Sequence, residues 1–229
     1  MPQKKPRTQP GTVEDTSAEA QNDDLMDRDT VVMFVDIMSS SELSNYNSPK
    51  AFSDLAKDFQ SCFKGTCKDY TEAWYDKGEE NYLYNARGDE GIFMAFPEKD
   101  KEDIHNHIDI AINIALALKR RWISYDGNIK RIESGLLPID LAIGIHMGKT
   151  YLTSGKKDPP NNPFGMSPEG YAINLAKRVE SESRSGKYTR IFVSEAAHGR
   201  LNYLPDETIY SFDKQQKIVW VQNLVDHLG

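Results

Sequence analysis

The chain has 229 residues, of which 38% are hydrophobic and 28% charged, a composition typical of one large or two small globular domains. Its formal net charge of −7 argues against a nucleic-acid-binding protein, because neutralising phosphates requires clustered Lys and Arg. No apolar run approaches the roughly 20 residues of a membrane-spanning helix, and the sequence begins without the apolar stretch of a secretory signal. We therefore expect a cytoplasmic protein that binds neither nucleic acid nor membrane.

The first part of the chain divides into a polar tail and the first elements of a fold. Residues 1–29 contain hardly any large apolar side chain, so they predict a flexible tail before a single domain at 30–229. The run VVMFVDI at 31–37 is typical of a fully buried strand. Ser48 and Pro49 predict the cap and first turn of a helix, in which apolar residues then recur at helical spacing.

A β-hairpin is predicted next, from the stretch YLYNARGDEGIFMAFP. Two apolar strands near 80–87 and 91–96 flank Gly88 and Asp89, which tolerate the backbone angles of a tight turn. The turn therefore places a carboxylate at the tip of what otherwise resembles a core sheet.

The later elements follow from the same patterns of apolar spacing. They are a helix at 101–125, a polar link, a strand at 139–148, a loop at 155–169, a helix at 170–184, a strand at 189–194, a short helix from Ser194, and strands near 207–211 and 217–221. The core has the order β-α-β-β-α-β, in which an antiparallel sheet carries both helices on one face. We expect an α+β fold with a ferredoxin-like core and an extra C-terminal helix and strands.

Two carboxylates are expected at the same edge of this sheet. Asp36 ends the first strand, and Asp89 lies in the turn of the neighbouring hairpin. Carboxylates that close raise each other's pKa unless a cation lies between them, and oxygen ligands suit Mg²⁺ or Mn²⁺. Each aspartate alone is explained as a solvated strand end or turn residue, but the pairing favours a metal site.

Two further polar clusters suit a phosphate-containing ligand. Ser40 and Ser41 belong to a serine-rich helix entry that offers N–H groups and hydroxyls, although such entries also serve as plain caps. Asn174 and Arg178 lie four residues apart on one face of a predicted helix. They suit a ribose oxygen and a developing phosphate charge, or else form a solvated polar stripe.

Four motifs together resemble the class III nucleotidyl cyclases, the catalytic domains of adenylyl and guanylyl cyclases. In chain order they are Phe-Val-Asp-Ile at 34–37, the Gly88-Asp89 turn, Gly-Ile-His-Met-Gly at 144–148, and Gly-Tyr-Ala-Ile-Asn-Leu-Ala-Lys-Arg at 170–178. One motif alone would be weak evidence. The set spans residues 31 to about 194, which is most of the expected domain.

The resemblance implies a phosphorus–oxygen lyase that works by two-metal catalysis. Asp36 and Asp89, with the carbonyl of Ile37, would hold two Mn²⁺ or Mg²⁺ ions per site. The ribose 3′-hydroxyl would attack the α-phosphate, so that a 3′,5′-cyclic monophosphate forms and pyrophosphate leaves. By motif position, Asn174 would orient the ribose and Arg178 would stabilise the pentavalent phosphate.

The resemblance also implies further phosphate ligands and a dimer. Lys149 matches a family arginine on the terminal phosphates, and the last strands loosely match a lysine-containing motif, in which Lys214 and Lys217 stay alternatives. In this family the metal-binding aspartates and the Asn/Arg helix come from opposite subunits. One chain that carries both sets therefore implies a head-to-tail homodimer with two shared sites.

Three positions depart from the purine cyclases. The base-reading lysine or glutamate of the family is Asn85 here, and the second base-reading position, an aspartate or cysteine, is Ser167. Arg87 replaces an aliphatic residue on the same strand face as Asn85. It would fill part of the room for a purine and donate to the carbonyls of a smaller base, or form a salt bridge to Glu90 or Asp89.

A short cyclase of this kind also resembles the pyrimidine cyclases of bacterial Pycsar anti-phage systems, whose cyclic UMP or cyclic CMP activates an effector. We expect UTP as the substrate, then CTP, because Arg87 donors suit uracil O2 and O4. The alternatives are an adenylyl or guanylyl cyclase, a silent nucleotide-binding homologue, and a diguanylate cyclase, whose Gly-Gly-Asp-Glu turn is similar to RGDE.

Overall fold

The computed structural model describes residues 26–46, 48–74, 82–96, 104–154, 166–186, 190–200, 209–213 and 218–222. Residues 1–25 of the predicted tail, and both Lys214 and Lys217, lie outside these described residues. The elements are β1 (Met26–Ile37), α1 (Ser40–Tyr46), α2 (Pro49–Trp74), β2 (Tyr82–Arg87), β3 (Glu90–Ala95), α3 (Ile104–Ile123), α4 (Asp126–Glu133), β4 (Leu141–Ser154), β5 (Met166–Glu169), α5 (Tyr171–Ser183), β6 (Ile191–Ser194), α6 (Glu195–His198), β7 (Ile209–Asp213) and β8 (Ile218–Gln222).

One sheet of eight strands organises the fold. Its order is β2-β3-β1-β4-β6-β8-β7, with β5 paired to β4. All pairs are antiparallel except β4 and β6, which run parallel. The predicted α+β class and its β-α-β-β-α-β order are confirmed in β1, α2, β2, β3, α3 and β4.

The main core lies on the face of the sheet that α2 and α3 cover, as predicted. Val31, Met33 and Val35 of β1 alternate toward this face, because side chains of a strand point to opposite faces in turn. They pack with Phe59 of α2 and Trp122 of α3, whose rings meet edge-on with centroids 5.9 Å apart. Ser48 caps α2, since its Oγ accepts from Ala51 N at 3.2 Å.

The opposite face of the sheet carries α5. Val32 and Phe34 of β1 form a second core cluster there with Ala176 of α5. A Cβ on Gly144 of β4 would lie 2.1 Å from the backbone nitrogen of Glu180, so the backbone of α5 rests directly on the strand. Asp36 lies two residues beyond Phe34 and therefore belongs to this face.

Two segments that the sequence predicts as irregular form elements. The predicted loop contains β5, which extends the sheet against the end of β4. The predicted polar link contains α4, which is held by the buried side chain of Asn128. Asn128 accepts from Ile139 N at 2.8 Å and donates to Trp122 O at 2.8 Å, so a polar residue supplies the anchor. No helix within the described ranges is long and apolar enough to cross a membrane.

Gly144→Ala should destabilise the protein by about 3 kcal/mol, because the new methyl group must push α5 away from β4. Gly65→Ala is the matched control, since Gly65 lies inside α2 with no atom near its virtual Cβ. That control should gain about 0.5–1 kcal/mol from the higher helix propensity of alanine. Urea unfolding of both variants measures the difference, and equal free energies of unfolding would contradict the proposed contact.

Candidate functional site at the sheet edge

The structure brings Asp36 and Asp89 to the same edge of the sheet. Asp36 is the last but one residue of β1, and Asp89 lies in the turn between β2 and β3. Gly88 adopts φ +61° in this turn, a conformation that suits glycine. The carbonyl of Asp89 accepts from Ile37 N at 3.1 Å, which ties the turn to the end of β1.

Asp36 is buried, with only 8% of the residue exposed. Its Oδ2 accepts from Arg184 at 2.5 Å and lies 3.5 Å from the Nζ of Lys177, whereas its Oδ1 is buried and has no hydrogen-bond partner among the described residues. Burial raises the pKa of the Asp36 carboxyl above its ordinary value, and Glu180 and Asp89 add to this. Lys177 and Arg184 act in the opposite direction on the same pKa.

The residues of α5 that surround Asp36 form a network that the sequence interpretation missed. Lys177 Nζ lies 2.5 Å from Glu90 Oε2 and 3.0 Å from Glu180 Oε2. Arg184 Nε donates to Glu180 Oε1 at 3.0 Å, and the Glu180 side chain is fully buried. The signal was the spacing of three and four residues between Lys177, Glu180 and Arg184, which places them on one helix face.

The donor set at this edge fits a hard divalent cation. Asp36 Oδ1 is an oxygen atom without a partner, and Asp89 is close enough to act on the pKa of Asp36. Carboxylate oxygens are the ligands that Mg²⁺ and Mn²⁺ prefer. The described residues contain no ready-made group of three or more His, Cys, Asp or Glu side chains for a metal ion.

The predicted base-reading residues of β2 share the sheet face of Asp36. Asn85 pairs with Ile92 and Arg87 with Glu90, and Glu90 pairs in turn with Asp36. Asn85 Oδ1 is buried, and no described residue forms a hydrogen bond with it. Arg87 is exposed, and among the described residues it forms no salt bridge to Glu90 or Asp89, which was the alternative reading of that arginine.

The predicted phosphate ligands separate into two groups. Ser40 and Ser41 open α1 just beyond Asp36, with Ser40 buried and Ser41 exposed. Lys149 instead pairs in register with Asp29, and its Nζ lies 3.4 Å from Asp29 Oδ1. Asp29 is seven residues from Asp36, which corresponds to about 23 Å along β1. Within one chain, Lys149 therefore lies far from Asp36 and Asp89.

Ser167, Asn174 and Arg178 also do not join the aspartates within one chain. Ser167 lies in β5 opposite Thr153, beyond Lys149 along β4. Asn174 and Arg178 are exposed on α5. Across the described ranges, no ion pair joins Arg178 to either aspartate. The side chains of Asn174 and Arg178 are therefore accessible to a second molecule.

His146, from the third motif, has a structural contact. It is buried, and its Nδ1 lies 2.8 Å from Ser194 Oγ. Ser194 is the last residue of β6 and also caps α6, so this contact joins β4 to the start of that helix. Burial lowers the pKa of His146 to about 4. The imidazole is therefore neutral near pH 7.

Comparisons with known proteins support one family. The family model of the adenylate and guanylate cyclase catalytic domain matches residues 26–222. The adenylyl cyclase CyaB from P. aeruginosa superposes with a TM-score of 0.63 at 17% identity, over 86% of this chain and 95% of that chain. A monomeric structure of the guanylyl cyclase domain of the RhoGC fusion protein from the aquatic fungus Blastocladiella emersonii gives a TM-score of 0.60 at 18% identity, over 86% and 96%.

A structure of the same fungal domain as a non-canonical dimer has a TM-score of 0.61, again at 18% identity, over 86% of this chain and 97% of that chain. At such identities, structural similarity bears on the fold alone. The comparison with curated sequences found no match.

Acid should destabilise the protein through His146. The folded pKa of about 4 lies below the ordinary value of 6.5, so the unfolded state takes up the proton first as the pH falls. The stability of the folded state that depends on neutral His146 is therefore complete above the pKa of the unfolded state. It is lost progressively as the pH falls toward the pKa of the folded state. Between about pH 7.5 and about pH 5 this amounts to about 2 kcal/mol.

Urea unfolding of the wild type and of His146→Gln at both pH values measures this loss. Other titrating groups are common to the two proteins, so the wild type should lose more stability than the variant. An equal loss in both would show that His146 does not bind a proton preferentially in the unfolded state.

Proposed function

The chain belongs to the family of adenylate and guanylate cyclase catalytic domains, and on this basis we propose that it is a pyrimidine nucleotide cyclase. It converts UTP, and CTP less well, into the 3′,5′-cyclic monophosphate and pyrophosphate. The strongest local support is the buried Oδ1 of Asp36, which has no partner and lies at the same edge as Asp89.

The chemistry is an in-line displacement at the α-phosphate of the nucleotide. Two divalent ions, held by Asp36, Asp89 and the carbonyl of Ile37, would make the 3′-hydroxyl more acidic and neutralise the triphosphate. The amide of Asn174 orients the ribose. The guanidinium of Arg178 stabilises the charge that develops on the phosphate, and Ser40, Ser41 and Lys149 bind the remaining phosphates.

The residues of β2 support a uracil base. Asn85 Oδ1 is an acceptor without a partner, and the exposed guanidinium of Arg87 supplies donors on the same face. Uracil offers the complementary set, one N–H donor between two carbonyl acceptors. Cytosine presents an acceptor and an amine in place of the donor and one carbonyl, so it matches this pair less well.

A second copy of the chain completes the site. Asn174 and Arg178 are exposed on α5, and Lys149 lies about 23 Å along β1 from Asp36. In a head-to-tail homodimer each chain supplies its aspartates to one site and its Asn174 and Arg178 to the other. The fungal guanylyl cyclase domain has been solved as a non-canonical dimer, so it supports dimer formation by this fold but not the head-to-tail arrangement.

The cyclic pyrimidine nucleotide serves as a second messenger that activates an effector in anti-phage defence. Asn85, Arg87 and Ser167 are the support for a pyrimidine product, since they depart from both purine-reading patterns. The sequence predicts the domain that makes this product at residues 30–229 after a tail at 1–29, but β1 begins at Met26, so the last four residues of that predicted tail belong to the sheet.

Incubation of the purified chain with ATP, GTP, CTP or UTP and Mn²⁺ should give cyclic UMP as the main product, with cyclic CMP next. Chromatography against cyclic nucleotide standards measures the products. Asp89→Ala is the control for contaminating cyclases and should give none. Cyclic AMP or cyclic GMP as the main product would keep the cyclase and contradict the assignment of Asn85 and Arg87 to a pyrimidine. No product from any nucleotide would favour a silent nucleotide-binding homologue.

Arg178→Ala should lower the rate by on the order of 100-fold or more, because transition-state charge loses its partner. Mixing it with inactive Asp89→Ala should then restore about a quarter of wild-type activity, since half of the dimers are mixed and each has one intact site. Asp89 is the better aspartate to remove, because Asp36 is also bound to Lys177 and Arg184 within the fold.

Mixing Arg178→Ala with Asn174→Ala is the matched control. Both substitutions lie on α5, so every site in a mixed dimer lacks one of them and activity should stay low. If Asp89→Ala and Arg178→Ala chains exchange subunits but recover no activity, the sites are not shared.

A further inference from the structure

The ammonium group of Lys177 lies among three carboxylates of its own chain. Its Nζ is 2.5 Å from Glu90 Oε2, 3.0 Å from Glu180 Oε2 and 3.5 Å from Asp36 Oδ2. These carboxylates come from three different elements, β1, β3 and α5. Oxygens from separate elements therefore converge on one positive charge, which a lysine of the same chain supplies.

This cluster differs from an exposed salt bridge. The side chain of Glu180 is fully buried, that of Asp36 is 11% exposed, and that of Lys177 is 35% exposed. Screening by water is therefore weaker here than at a surface pair. Burial lowers the pKa of Lys177, but the contacts with Glu90 and Glu180 outweigh it and raise the pKa above its ordinary value. Nζ also lies 5.4 Å from the centre of the Phe34 ring.

The carboxylates of this cluster outnumber the cations that pair with them. Asp36, Glu90 and Glu180 form ion pairs with Lys177, and Asp36 and Glu180 also pair with Arg184. Three carboxylates therefore share two cations within this cluster. Lys177 also makes its longest contact with Asp36, so its ammonium can leave that carboxylate and stay paired with Glu90 and Glu180.

We infer that Lys177 is an internal counter-ion that competes with the divalent metal ion for Asp36 and so lowers the affinity of the site for metal. The inference rests on the proposed function, because it takes Asp36 as a metal ligand. Lys177 is a positioning residue in this account, since it acts through Asp36 and through no contact with substrate. In the metal-free chain Lys177 shares Asp36 Oδ2 with Arg184, which lies closer, and the arriving metal ion displaces the more distant ammonium of Lys177.

Mn²⁺ binding to the full chain without nucleotide, measured by isothermal titration calorimetry, tests the inference. Lys177→Met keeps most of the apolar stem and removes the charge, and it should bind Mn²⁺ about tenfold more tightly than the wild type. Lys68→Met is the matched control. Lys68 is an exposed lysine of α2, on the opposite face of the sheet, so the net charge changes equally while the affinity should not change.

Thermal unfolding supplies a second readout that a purely structural role would not give. In EDTA, Lys177→Met should unfold at a lower temperature than the wild type, because three carboxylates lose their shared cation. Mn²⁺ should then raise its unfolding temperature by more than that of the wild type. If Lys177→Met does not fold, Lys177→Gln, which retains a donor for Glu90, takes its place in both experiments.

Asp36→Asn separates the two ways in which the inference can fail. If Asp36→Asn loses Mn²⁺ binding and Lys177→Met binds like the wild type, the metal site stands and the competition by Lys177 is refuted. If Asp36→Asn binds Mn²⁺ as well as the wild type, Asp36 is not a ligand, and the metal part of the proposed function fails together with the inference. Tighter binding in Lys68→Met as well would show a general charge effect and would also refute the competition.

Discussion

The direct contact between the backbones of α5 and β4 determines what lies around Asp36. At Gly144 the strand has no side chain, and the helix backbone at Glu180 occupies the space. Because the backbone of α5 lies directly against the sheet, the side chains of Lys177 and Arg184 reach the carboxylate of Asp36. The same placement leaves the outer side of α5 exposed. One contact between two backbones thus separates the inward-facing charges of the helix from its outward-facing polar residues.

Burying Asp36 has a cost that the chain offsets only in part. Desolvation raises the pKa of the carboxyl, and the cations of α5 counter it at Oδ2, but Oδ1 keeps no partner. A carboxylate satisfied on both oxygens by its own chain would give up more contacts when it binds a metal ion. For the metal-binding role proposed for Asp36, the arrangement therefore balances the stability of the metal-free fold against the availability of the carboxylate oxygen.

Local patterns predicted much of the fold, and long-range contacts decided the rest. The hairpin and the edge shared by Asp36 and Asp89 follow from strand order, which the apolar runs reveal. The network around Lys177 was missed because charges on a helix look like a solvated stripe until the sheet beneath them is known. Helix α4 was missed because the residue that anchors it, Asn128, is polar. The helix therefore lacks the regular spacing of apolar residues from which a helix is predicted. The distance to Lys149 depends on the register of β1 with β4, which the sequence does not encode locally.

The pairing of β1 with β4 also fixes a distance within the chain. It runs without interruption from Met26 paired with Leu152 to Ile37 paired with Leu141, so it sets the spacing between Lys149 and the end of the sheet that carries Asp36 and Asp89. In a symmetric pair of chains, one inserted residue or bulge would shift that spacing in both copies and misalign two sites at once. Insertions in this protein should therefore be tolerated far better in its connecting loops than along these two strands.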